Sequence, residues 1–215
     1  MAEIKRRAVT DAQKQFRRRE ILDGARAHFA EVGYENFSMN QLAKRLGIVK
    51  GTLYLYFPTK ESIILALYGR ALEAWSEALK AQLQDGLPDP VFIAHFYDLA
   101  MADPVLVPIL IRLEHVIEHN VSIELLIHSK RHFKACLDSI AEGAHCVLAL
   151  SRQQTDDLIM SLGVLLAGAT HSDQGPALAN EDLPDDVRAI FASLSSREVF
   201  SRNAARILAG IRASG

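Results

Sequence analysis

The chain has 215 residues, 49% hydrophobic and 23% charged, which supplies a core and excludes global disorder. Its net charge of −2 hides an asymmetry: residues 1–60 carry 12 Lys/Arg against 6 Asp/Glu, a net of +6, and residues 61–215 carry 12 against 20, a net of −8. A basic binding domain over 1–60, joined to an acidic sensing or assembly domain over 61–215, has this distribution.

The start, Met1-Ala2-Glu3-Ile4-Lys5, leads into more charge, so no secretory leader is expected. The longest nearly apolar run, Leu158 to Ala169, is too short for a bilayer and is broken by Ser161, so no membrane association is expected. Two cysteines, Cys136 and Cys146, fit a reduced, cytoplasmic protein.

Period-two strand patterns are absent and helix starts are well marked, so the expected fold is all-α. A long first helix runs to about Val32, followed by short helices near 39–45 and 50–56 and a long helix from Lys60 to about Gln84. After the Asp85-Gly86-Leu87-Pro88 break, helices are expected near 90–101, 104–118, 122–142 and 152–170. A loop containing Gly175, Pro176 and Pro184 then leads through a short turn to a last helix from about Ser196. Thr10–Gln13, Ser38–Gln41, Ser151–Gln154 and Ser195–Glu198 have capping-box spacing, and Asp89 and Asp103 precede prolines as candidate caps.

The densest information lies between Ile21 and Lys60. Ile21, Leu22, Ala25, Phe29 and Val32 make one apolar face of the first helix, and Gly33 stops it. Ser38 caps a short helix with Leu42, Ala43 and Leu46 inward; Gly47 permits a tight turn and Ile48 buries in it. In the next helix Leu53 and Phe57 face inward, leaving Lys50, Thr52, Tyr54 and Tyr56 to point out. Two short helices joined by a glycine turn form a helix-turn-helix, whose second helix enters the major groove. Lys50 and Lys60 can neutralise phosphates, and the hydroxyls of Ser38, Thr52, Tyr54 and Tyr56 can bond phosphate oxygens. Gly51 lets the backbone approach, while Thr52 and Tyr54 can meet base edges or thymine methyls. Val49 offers no cap to the second helix, so that helix is expected to order fully only on DNA.

Ile21-Leu22, Ala25, Phe29, Gly33, Ser38, Leu42-Ala43, Gly47-Ile48 and the run Lys50-Gly51-Thr52-Leu53-Tyr54-Leu55-Tyr56-Phe57-Pro58-Thr59-Lys60-Glu61 closely resemble the N-terminal domain of the TetR family of bacterial transcriptional regulators. The resemblance implies a three-helix DNA-binding domain followed by a larger helical domain for ligand binding and dimerisation. It also implies a homodimeric repressor on a palindromic double-stranded operator, released by a small-molecule inducer and needing no cofactor. Ser38, Lys50, Gly51, Thr52, Tyr54, Tyr56 and Lys60 are the operator-facing candidates. The long helix from Lys60, with its stripe of Ile64, Leu67, Ala71, Trp75, Ala78 and Leu79, becomes the lever by which ligand changes the spacing of two recognition helices, which must lie about 34–36 Å apart.

In the acidic half, Trp75, Phe92, Phe96, Tyr97, Met101 and Phe133 are the large or soft apolar residues available to line a pocket, or to serve as plain core. Leu158, Leu162, Leu165 and Leu166, with small residues between them, and Phe200, Ala204, Ile207 and Leu208 make two apolar helix faces. These suit a four-helix dimer interface or an internal core.

The rival reading is a metal site. His115 to His119 has His-x-x-Glu-His spacing, and His128 and His132 repeat the i, i+4 pairing, which suits a metal-responsive regulator or a metal-dependent hydrolase. The apolar stripe Leu106, Ile109, Leu110, Leu113 and Ile117 puts the first pair on the opposite, polar face, and no third ligand follows at a distinctive spacing. No resident metal is therefore expected. There is no phosphate loop, nucleophile elbow or evident nucleophile–base pair, so no enzymatic activity is expected either.

Overall fold

A computed structural model describes residues 2–171, 183–193 and 195–214, with the side chains of 11–114, 116–171, 183–190 and 195–214. Among these the regular structure is helical throughout: α1 (Ala2–Asn36), α2 (Met39–Leu46), α3 (Lys50–Tyr56), α4 (Lys60–Lys80), α5 (Asp89–Ala102), α6 (Leu106–Leu110), α7 (Ile123–Val147), α8 (Arg152–His171), α9 (Asp185–Ser193) and α10 (Ser196–Ala213). The chain divides into two compact units, residues 1–70 with 112–129 and residues 71–111 with 130–215. The boundary thus falls at Arg70 within α4, beyond Lys60, and a later segment returns to the first unit.

In the first unit, Ile21, Leu22, Ala25 and Phe29 of α1 are buried, as are Leu42 and Ala43 of α2, Leu53 and Phe57, and Ile63, Ile64 and Leu67 of α4. Each large side chain so covered contributes about 1.5–3 kcal/mol relative to exposure. The expected stop at Gly33 is a break inside α1: its φ of 70° and ψ of −179° form a conformation essentially confined to glycine. Residues 11–20 of the same helix are all exposed.

In the second unit, α10 packs on α8 and α5. Phe96 stacks on Phe200 at 5.9 Å between ring centroids and meets the edge of Trp75 at 4.9 Å. The Trp75 indole N–H donates to the Phe96 carbonyl at 3.3 Å, and the buried Tyr97 and Ser196 hydroxyls share a hydrogen bond of 2.6 Å. Aromatic contact of this kind adds to simple burial.

Several local expectations need correction. The helix expected over 104–118 is regular only over Leu106–Leu110, with Pro108 in its first turn, where a missing N–H costs nothing. A π-turn over Leu113–Ile117 follows, with Ile117 N–H bonding the Arg112 carbonyl, and then a 3₁₀ turn over Glu118–Asn120. The short turn before Ser196 is preceded by a nine-residue helix, α9, which carries Asp185 and Asp186 in its first turn, where the helix dipole favours them. The fourth helix ends at Lys80 and α7 extends to Val147. Ser151 and Gln154 form the full reciprocal box, and Asp103 accepts from the N–H groups of Val105 and Leu106. Ser195 makes no side-chain cap, and the Asp89 carboxylate is engaged by Arg212 instead. α1 runs through Thr10, so no helix begins there; the Thr10 and His115 side chains and the loop at Gly175 and Pro176 lie outside the described residues.

Candidate nucleic-acid interface

Ser38 is the N-cap of α2: its Oγ accepts from the Gln41 N–H at 3.3 Å and donates to Gln41 Oε1 at 3.0 Å. Gly47 closes the helix in the left-handed region, with φ 64° and ψ 29°. The N–H groups of Gly47 and Ile48 satisfy the Lys44 and Ala43 carbonyls there. The chain then turns into α3 at Val49, whose backbone is extended and whose side chain gives no cap.

Leu53 and Phe57 anchor the inner side of α3, and the Arg18 guanidinium lies 4.8 Å from the Phe57 ring. Partial desolvation of this otherwise exposed side chain, reinforced by the neighbouring Arg70 charge, lowers the pKa of Arg18. At 100° per residue, Gly51 and Leu55 project opposite that side with Tyr54 on their flank, and all three are exposed; Lys50 projects towards the Leu53 side and is exposed as the first residue of the helix. The Lys50 ammonium rests 5.6 Å from the Tyr54 ring centroid. Thr52 and Tyr56, which were expected to point out, are half-buried at the edges of the arc. Leu55, outside the operator-facing candidates, is 84% exposed, and helical projection places it beside Gly51.

Lys60 is more engaged than expected. It is half-buried; its ammonium donates to the Tyr34 carbonyl at 2.7 Å and lies 3.9 Å from the Tyr34 ring centroid. Burial lowers its pKa, against the raising influence of Glu61 and Glu35. The Tyr34 hydroxyl donates to Glu61 at 3.4 Å, and burial together with that carboxylate raises the phenol pKa. The start of α4 is fixed by a reciprocal pair that was not anticipated: Thr59 N–H to Ser62 Oγ at 3.2 Å and Ser62 N–H to Thr59 Oγ1 at 3.0 Å. A serine in place of the usual Glu or Gln hid this box.

In the second unit, Trp75, Phe92, Phe96 and Tyr97 are buried among one another, Phe133 is half-buried and Met101 is exposed. None of them lines the cleft of about 310 Å³ between α5 and α10, which is formed by Asp89, Pro90, Ile93, Ser201, Ala205, Leu208, Ala209 and Arg212. Leu158, Leu162, Leu166, Phe200, Ala204 and Leu208 are already buried inside the protomer, and Leu165 and Ile207 are half-buried. Most of the two stripes is covered where α10 packs on α8, Leu165 and Ile207 staying partly uncovered; Met160 and Val164 are exposed apolar groups of α8. His119 and His128 are exposed, and the His132 ring nitrogen is 3.9 Å from the Cys136 sulfur. Among the described residues no three His, Cys, Asp or Glu side chains gather to hold a metal. No helix of the described residues is long and apolar enough to cross a membrane.

Residues 21–67 match the family described as bacterial regulatory proteins, tetR family, and residues 69–215 match the tetracyclin repressor-like C-terminal domain. The HTH-type transcriptional repressor AcnR of Corynebacterium diphtheriae is 41% identical over 59 residues, 27% of this chain and 31% of that protein. The HTH-type transcriptional repressor KstR of Mycolicibacterium smegmatis is 36% identical over 80 residues, 37% of this chain and 39% of that protein. These matches span about a third of the length of such curated relatives. Among solved structures, a possible TetR family transcriptional regulator from Streptomyces coelicolor superposes with a TM-score of 0.60 at 18% identity, covering 92% of this chain and 100% of that one. RolR in complex with resorcinol gives 0.57 at 21% identity, covering 92% and 95%. At these identities the structural likeness speaks for the fold.

Proposed function

This chain belongs to the tetR family of bacterial regulatory proteins, and we propose that it is a cytoplasmic transcriptional repressor that binds a palindromic operator as a homodimer. The observation that carries the reading is the exposed arc of Gly51, Tyr54 and Leu55, with the Lys50 ammonium beside Tyr54 at the helix start, on a helix fixed from behind by Leu53 and Phe57. Such an arc presents one cation, one aromatic hydroxyl and a side-chain-free notch, which suits a major groove. The surrounding net charge of +6 over residues 1–60 favours phosphate approach. Lys60, half-buried and held by the Tyr34 carbonyl, keeps two further N–H donors, so it can meet a phosphate from a fixed position.

In this reading the second unit binds a small-molecule inducer, and α4, which continues from one unit into the other, transmits its presence. The dimer uses the outward residues of α8, Met160 and Val164, instead of the inward stripes. The chain performs no reaction of its own. Selection of bound duplex from a random pool tests the reading: a palindromic consensus supports it, and a pool without enrichment refutes it.

A further inference from the structure

Gly51 lies inside α3, away from positive φ, and a Cβ built on it would meet nothing within 4 Å. Neither backbone conformation nor internal packing therefore calls for glycine there, although glycine is the poorest helix former after proline. One turn on, in the same exposed arc, Leu55 presents 84% of its surface to solvent. Lone exposed leucines are common on protein surfaces. This one is paired with an internally unexplained notch, and both adjoin Tyr54 on the helix face proposed above to meet DNA.

We infer that Leu55, beside the notch at Gly51, reads thymine C5-methyl groups in the major groove of the operator. The inference rests on the DNA-binding reading of α3 and adds its base preference. The thymine methyl is the one hydrocarbon group that a base pair presents in that groove. A leucine side chain covers it best when the backbone alongside can come close, and the missing side chain at Gly51 permits that approach. Tyr54 on the same arc can also reach a thymine methyl with its ring, so the Leu55→Ala variant is what assigns the contact.

The test uses the full chain and its selected duplex, with thymine replaced by uracil one position at a time, which removes only the methyl. Wild type is expected to lose about four-fold in affinity at one or two positions per half-site, the worth of one buried carbon group. Leu55→Ala should bind the thymine duplex more weakly by a similar factor and be indifferent to uracil at those positions. Gly51→Ala should melt no lower than wild type yet bind at least ten-fold more weakly. The inference is overturned alone if a sequence-selective wild type ignores uracil everywhere, if Leu55→Ala keeps the wild-type sensitivity, or if Gly51→Ala binds as wild type does. A chain that selects no duplex overturns the DNA reading itself, and this inference with it.

Discussion

Val49→Ser is expected to stabilise the protein through α3. Val49 is 77% exposed and already in the extended conformation of an N-cap, with φ −70° and ψ 137°, so the substitution requires no backbone change. A serine Oγ there can accept from the N–H of Gly51 or Thr52, worth about 1 kcal/mol. Removing the quarter of the valine that is covered costs no more than about 0.4 kcal/mol, scaled from full burial of such a side chain. The net gain of roughly 0.5–1 kcal/mol corresponds to a melting shift of about 1–4 °C for a chain of this size. The more local readout is amide exchange over residues 50–53, which should slow by up to about five-fold. If the uncapped α3 completes its ordering on DNA, wild-type protection at these amides also rises on binding, and the variant gains affinity by a similar factor. Equal protection of residues 50–56 in free and bound wild type, or no change in the free variant, would refute the reasoning.

Gly33→Ala places a side chain at φ 70° and ψ −179° and should lower stability by about 1–3 kcal/mol in thermal melts. Tyr97→Phe leaves the buried Ser196 hydroxyl without its 2.6 Å partner, and the urea midpoint should fall by the equivalent of about 1–2 kcal/mol. Burial, aided by Glu73 and Glu77, raises the Cys136 pKa, so less thiolate is present at pH 8. A thiol reagent should therefore modify exposed Cys146 first and reach Cys136 only on unfolding, as mass spectrometry can resolve. Replacing exposed Lys14, Arg17 and Arg19 with Gln should flatten the salt dependence of DNA binding by roughly 2–3 in log–log slope, if each neutralises one phosphate.

The helix-turn-helix was readable because three signals agree locally. Ser38 caps, Gly47 turns, and Leu53 with Phe57 repeats at helical spacing, so neighbours within a few residues decide the structure. Tertiary geometry overrode the local signals elsewhere. Nothing near Lys60 in sequence announces that its ammonium donates to a carbonyl 26 residues earlier, and spacing alone cannot tell that Leu158 and Phe200 face inward. An apolar stripe says that a helix face is covered without saying by what. The acids after Pro184 were a legible start for α9.

The central claim is that the exposed arc of α3 reads DNA sequence. It is tested most directly by comparing wild type with a Lys50→Ala, Tyr54→Ala double variant on the selected duplex and on a scrambled one of equal length. At physiological salt, wild type should prefer the selected duplex by about a thousand-fold or more. The variant, with unchanged melting, should lose most of that preference and keep only the small part that Leu55 supplies. A wild type that binds both equally, or a variant that keeps the full preference, would contradict the account.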